Sequence, residues 1–74
     1  MPRKIRQLKA DLRKAGFVED SQRGKGSHSW WYHPRFPEAI VTLSGNDGID
    51  AQKYHERHVR EAIALVQRAE RPSF

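Results

Sequence analysis

His28 stands directly behind Gly24-Lys25-Gly26-Ser27 and just ahead of Trp30, Trp31, Tyr32 and His33. A histidine that follows a glycine-containing turn is held at the mouth of a strand, close to backbone N–H groups and a lysine, where a phosphate can dock. Histidine is also the residue type whose unperturbed pKa of about 6.5 lets a side chain give or take a proton near neutral pH. These are the requirements of RNA cleavage without metal, in which a base activates the 2′-hydroxyl and cations hold the phosphate. On spacing alone, a hydrogen-bonded surface histidine is the commoner outcome, and the tryptophans serve equally well as core or interface anchors.

Other chemistries fall away by inventory. The chain has no cysteine, which removes thiolate nucleophiles, disulfides and thiolate zinc sites. No serine sits in a Gly-x-Ser-x-Gly elbow, and the loop before the second helix lacks the phosphate-loop pattern of glycine, lysine and hydroxyl residue. Asn46-Asp47-Gly48 hints at a calcium loop, but counting back from Gly48 puts Leu43 where the first carboxylate must be. His55 and His58 are spaced three apart on a helical stretch, yet a catalytic zinc needs a third protein ligand that has no candidate. The simpler expectation is that both flank the buried stripe and shield the edge of the core.

The elements that must position His28 follow from periodicity. Ile5, Leu8, Leu12 and Ala15 recur at helical spacing, so residues 2–15 read as a helix, with Pro2 in its first turn and Gly16 as its C-terminal cap. Phe17 then folds back onto the last turn. Residues 17–23 and 27–33 read as strands of a hairpin joined by Gly24-Lys25-Gly26, and residues 39–43 as a third strand. Pro34 and Pro37 restrict the segment between the last two strands to a turn and keep it out of a sheet interior. Asp50 caps a second helix running to about Ala69, with Val59, Ala62, Ile63, Val66 and Ala69 as its buried stripe. Alternation places His28, Trp30 and Tyr32 on one face of the second strand and Ser29, Trp31 and His33 on the other.

The expected fold is α+β: helix, three antiparallel strands, helix, with both helices on one sheet face and the other face open. Residues 1–70 form one domain and residues 71–74 a flexible tail. If Trp31 faces the helices, His28 shares the open face with Trp30 and Tyr32, rings on which single-stranded bases can stack beside cations.

Composition fits a polyanionic partner without naming it. The 74 residues carry a net charge of +5, and Arg3, Lys4, Arg6, Lys9, Arg13 and Lys14 all lie on the first helix beside a single acid, Asp11. A chain this short has no room for a large cofactor cradle, so no cofactor is expected. No stretch approaches the roughly 20 apolar residues of a membrane helix, and a cytoplasmic protein is expected.

Gly26-Ser27-His28 on the second strand, the aromatic residues after it and His33-Pro34 closing the strand resemble the HicA, or YcfA-like, family of bacterial toxins. Ala15-Gly16-Phe17 at the helix end and Val41-Thr42-Leu43-Ser44-Gly45-Asn46-Asp47 match as well, so the resemblance covers about Lys4 to Val66. It implies a fold like the double-stranded-RNA-binding domain and an endoribonuclease that cleaves mRNA and arrests translation. It also implies a HicB-type antitoxin that neutralises it. The family's catalytic histidine carries over to His28, with Gly26 and Ser27 as motif neighbours. Charge and ring chemistry add Arg23, Lys25, Lys4 and Lys9 as phosphate contacts and Trp30 and Tyr32 as stacking surfaces. Two other readings stand beside this one: a non-catalytic RNA-binding module on the same fold, and a domain that binds only an acidic protein partner. The longer first hairpin and extended second helix set this chain apart from compact members.

Overall fold

The computed structural model describes residues 3–24 and 26–70. Its elements are α1 (Ile5–Lys14), β1 (Val18–Glu19), β2 (His28–His33), β3 (Phe36–Ser44) and α2 (Lys53–Glu70). The strands form an antiparallel sheet in the order β1-β2-β3. Both helices contribute their apolar stripes to one core, with Ile5, Leu8 and Leu12 from α1 and Val59, Ala62 and Val66 from α2. They cover Trp31, Ala39, Val41 and Leu43 of the sheet, and the α+β order read from the sequence is the one observed.

Burial along β2 alternates as the sequence pattern requires: Ser29, Trp31 and His33 face inward, and His28, Trp30 and Tyr32 face the uncovered side. Trp31 is 0% exposed, and its indole N–H donates to Ser29 Oγ at 3.0 Å, so the buried polar pair is self-sufficient.

The end of α1 is closed by a Schellman arrangement. Gly16 takes φ +95°, its N–H donates to the Arg13 carbonyl at 3.1 Å, and the Phe17 N–H donates to the Leu12 carbonyl at 2.9 Å. A side chain at Gly16 would also meet His33 Nε2 at 2.8 Å, so the position needs glycine twice over.

The helix starts later than residue 2, because residues 3 and 4 are committed elsewhere. The Arg3 carbonyl accepts from the Ala51 N–H at 2.6 Å, and Lys4 bridges to Asp50. Pro2 and the tail 71–74 lie outside the described residues.

Three other boundaries differ from the sequence expectation. The first strand is only Val18–Glu19, because Asp20 starts a turn: its Oδ1 accepts the Gln22 N–H at 3.0 Å and its carbonyl accepts from Arg23 and Gly24, both at 3.3 Å. Pro37 is not part of the turn, although it stays out of the sheet interior as expected. It belongs to β3, an edge strand on which a missing N–H breaks no inner ladder, and Pro34-Arg35 alone makes the turn. Asp50 does not cap α2, since its carboxylate binds Lys4 Nζ at 2.6 Å and the helix begins three residues later. At the other end Ala69 is exposed, because α2 runs a turn beyond Val66, its last buried residue.

Candidate active site

Gly26 adopts φ +60°, the left-handed conformation that turns the hairpin loop into β2. The Ser27 carbonyl then accepts the Gly45 N–H at 3.0 Å, which ties the start of β2 to the end of β3. His28 follows as the first residue of the strand, exposed and directly opposite Ser44. Its position is therefore set by backbone on both sides, while its ring is open to solvent.

Across β3, the first two turns of α2 bring Tyr54, His55 and His58 to the same place. With His28, Thr42 and Ser44 they line a hollow of about 250 Å³. His55 is 3% exposed and fully engaged. Its Nδ1 accepts the Gln52 N–H at 3.1 Å, a bond that only an unprotonated nitrogen can make. The ring proton is therefore on Nε2, which donates to Ser44 Oγ at 3.1 Å. This is the N3 half of a capping box with histidine as the acceptor, and it closes α2 in place of the expected Asp50. Because both nitrogens are occupied, His55 has no lone pair left for a metal. Among the described residues no group of three metal-ligating side chains is assembled.

Burial, reinforced by the neighbouring His58, lowers the pKa of His55 from its ordinary value of 6.5. The folded protein then holds fewer protons on this ring than the unfolded chain, so stability rises with pH across the window. The contribution of His55 is complete above about pH 6.5 and is lost progressively as pH falls below it. Urea midpoints at pH 7.5 and 5.5 will differ in the native protein. The difference will shrink in His55→Gln, which keeps an acceptor at N3 but does not titrate.

A second hollow, of about 300 Å³, lies further along the open face and is lined by Arg23, Trp30, Tyr32 and Ile40. The Arg23 guanidinium stacks over the Trp30 ring at 5.2 Å and also faces Asp20 at 3.4 Å. Val18 and Ile40, 42% and 47% exposed, extend this surface on either side of Tyr32. Arg23, Gly26, Ser27, His28, Trp30 and Tyr32 thus belong to the hairpin and the uncovered sheet face. Lys25 lies outside the described residues.

Lys4 and Lys9 are not brought there. They belong to the helix layer, where Lys4 binds Asp50 and Lys9 binds Asp47, each at 2.6 Å. Lys9 holds the Asp47 carboxyl below the usual carboxylate range. Arg3 pairs with Asp11, and Arg13 lies over Trp31 at 5.2 Å. Much of the positive surface read from α1 is therefore answered within the fold.

Helical spacing puts both His55 and His58 at the edge of the core, which holds for His55 but not for the exposed His58; it does not connect either to His28, and no local pattern singles out Tyr54 or assigns the Ser44 hydroxyl a role. The clustering of Tyr54, His55 and His58 within two helical turns is visible in the chain. Their arrival beside His28 depends on where β3 sets α2, which no local pattern records.

A family model described as the HicA toxin of bacterial toxin–antitoxin systems matches residues 5–65. No curated protein and no solved structure matches the chain.

Proposed function

The chain belongs to the HicA toxin family, and from that premise we propose that it is an endoribonuclease that cleaves mRNA without a metal, using His28, and so arrests translation. Membership makes it the toxin of a toxin–antitoxin pair, with an antitoxin as its partner; we read that partner as an acidic, HicB-like chain. Among the described residues no helix is long and apolar enough to cross a membrane. The cytoplasm, where mRNA is found, is the compartment this reading requires.

The observation that carries the proposal is the placement of His28. It is an exposed imidazole, fixed by backbone at the head of β2, on the same uncovered face as an aromatic groove bearing a guanidinium. RNA supplies its own nucleophile, the 2′-hydroxyl, so the protein needs only to hold the phosphate and move protons. Trp30 and Tyr32 offer faces for unpaired bases, and Arg23 serves both the stack and the backbone charge. Gly26 and Ser27 shape the approach to His28, and Lys25 adds charge at the loop. Lys4 and Lys9, held by aspartates in the helix layer, contribute at most to the long-range field.

Incubation of the purified protein with end-labelled single-stranded RNA in EDTA tests this. The expected result is fragments ending in a 2′,3′-cyclic phosphate, with binding that weakens steeply as salt rises. Retention of intact RNA would favour a binding module without hydrolysis. Negligible RNA affinity would favour a domain whose only partner is an acidic protein.

A further inference from the structure

We propose that His58 is the second proton-transfer residue of this site, forming with His28 an acid–base pair across the hollow between β2 and α2. The inference rests on the RNA-cleaving reading and goes beyond it, because that reading needs only one histidine.

Transfer of the phosphoryl group to the 2′-oxygen has two proton demands. The 2′-hydroxyl proton passes to a base as the O2′–P bond forms, and the departing 5′-oxygen takes a proton from an acid as the P–O5′ bond breaks. The products are a 2′,3′-cyclic phosphate and a 5′-hydroxyl, and no redox partner or co-reactant is involved. One neutral imidazole and one imidazolium, on different sides of the phosphate, meet both demands in a single step.

The hollow beside His28 contains two further imidazoles, and the structure separates their roles. His55 is buried and has both nitrogens in hydrogen bonds, so it cannot exchange a proton with a substrate. His58 is exposed, lines the same hollow of about 250 Å³, and has no hydrogen bond to either nitrogen among the described residues. Its ring is braced edge-on by Tyr54, with centroids 5.9 Å apart. The two reactive rings come from different elements, β2 and α2, so a phosphate lodged between them can be reached from two directions. Because the His55 Nε2 proton is directed at Ser44 Oγ, the Ser44 hydroxyl keeps its own proton to donate into the hollow. Among ionisable groups, Tyr54, His55 and Glu61 face His58 from its own helix, Glu38 from β3 and His28 from β2.

The test is single-turnover cleavage of an RNA oligonucleotide cut by the native protein, followed from pH 5 to 9. Native protein, His28→Ala, His58→Ala and His58→Gln are compared, each with a thermal melt to establish folding. A second oligonucleotide carries sulfur in place of the 5′-bridging oxygen, a leaving group that departs without a proton. The native profile is expected to be bell-shaped. His58→Ala and His58→Gln should each lose about 10²-fold in rate and one limb of the bell. The sulfur substrate should restore most of the rate to whichever of the His28 and His58 variants has lost the acid, and not to the other.

Native rate and an intact bell in folded His58→Ala, with His28→Ala inactive, would overturn the pair while leaving the RNA-cleaving reading in place. A loss at His58 with rescue of neither variant by sulfur would also overturn it. Absence of cleavage by the native protein would remove both readings together.

Discussion

His28→Ala is expected to lower RNA cleavage by about 10²–10⁴-fold, the range typical of a lost proton-transfer group. The same change should leave the fold intact. His28 is exposed, begins its strand, and is positioned through the Ser27 carbonyl and the pairing with Ser44, none of which involves its ring. Surface substitutions of this kind stay within about 0.5 kcal/mol of the parent in stability. Induced expression in bacteria should show loss of growth arrest, and a thermal melt should show an unchanged midpoint. If the variant arrests growth as strongly as the parent, His28 is not the catalytic residue. RNA affinity offers an independent control, since Arg23, Trp30 and Tyr32 remain in place.

Trp31→Ala should have the opposite profile. Trp31 lies three residues along the same strand, points to the other face and heads the fully buried side chains by volume. Truncating a buried tryptophan to alanine costs about 3–5 kcal/mol. It also strands Ser29, 4% exposed, whose hydroxyl accepts from the indole at 3.0 Å; such a loss costs about 1–3 kcal/mol. A domain of this size has about 4–11 kcal/mol of stability in total. The variant should therefore be largely unfolded at 37 °C, with no cooperative near-ultraviolet melt. Trp31→Phe, which keeps a ring but not the N–H, should fall between it and the parent in urea denaturation. A Trp31→Ala midpoint within a few degrees of the parent would mean that the core is not organised around this residue.

The alternation that separates these two residues is legible in the chain itself, because a strand has a period of two and Ser29-Trp31-His33 can face only one way. The helices are equally legible where apolar stripes and the Gly16 cap mark them. What local reading misses is long-range competition. Asp50 has the chemistry of a helix cap, but Lys4 claims its carboxylate and His55 takes over the closing of α2. Lys9 reads as a free cation until Asp47 meets it across the fold. Pro37 reads as part of a turn, and its position on an edge strand is what admits it to β3. The site shows the same division. His28 is conspicuous because its neighbours in sequence are also its neighbours in space, whereas His58 stands 30 positions away and reaches the hollow only through the packing of α2 against β3.

The opening turn of α1 has a consequence for synthesis. Its amides, which have no partner within the helix, are answered from far along the chain: the Ile5 N–H donates to the Ile49 carbonyl at 3.0 Å and the Arg6 N–H to the Asp47 carbonyl at 3.1 Å, with Lys4 bound to Asp50. A helix of ten residues is marginal in water without such support. During synthesis α1 therefore cannot be completed until about residue 50 has emerged, and the hollow beside His28 must wait longer, for His58. A nascent chain still tethered to the ribosome therefore has neither the first turn of α1 closed nor the hollow between β2 and α2 assembled.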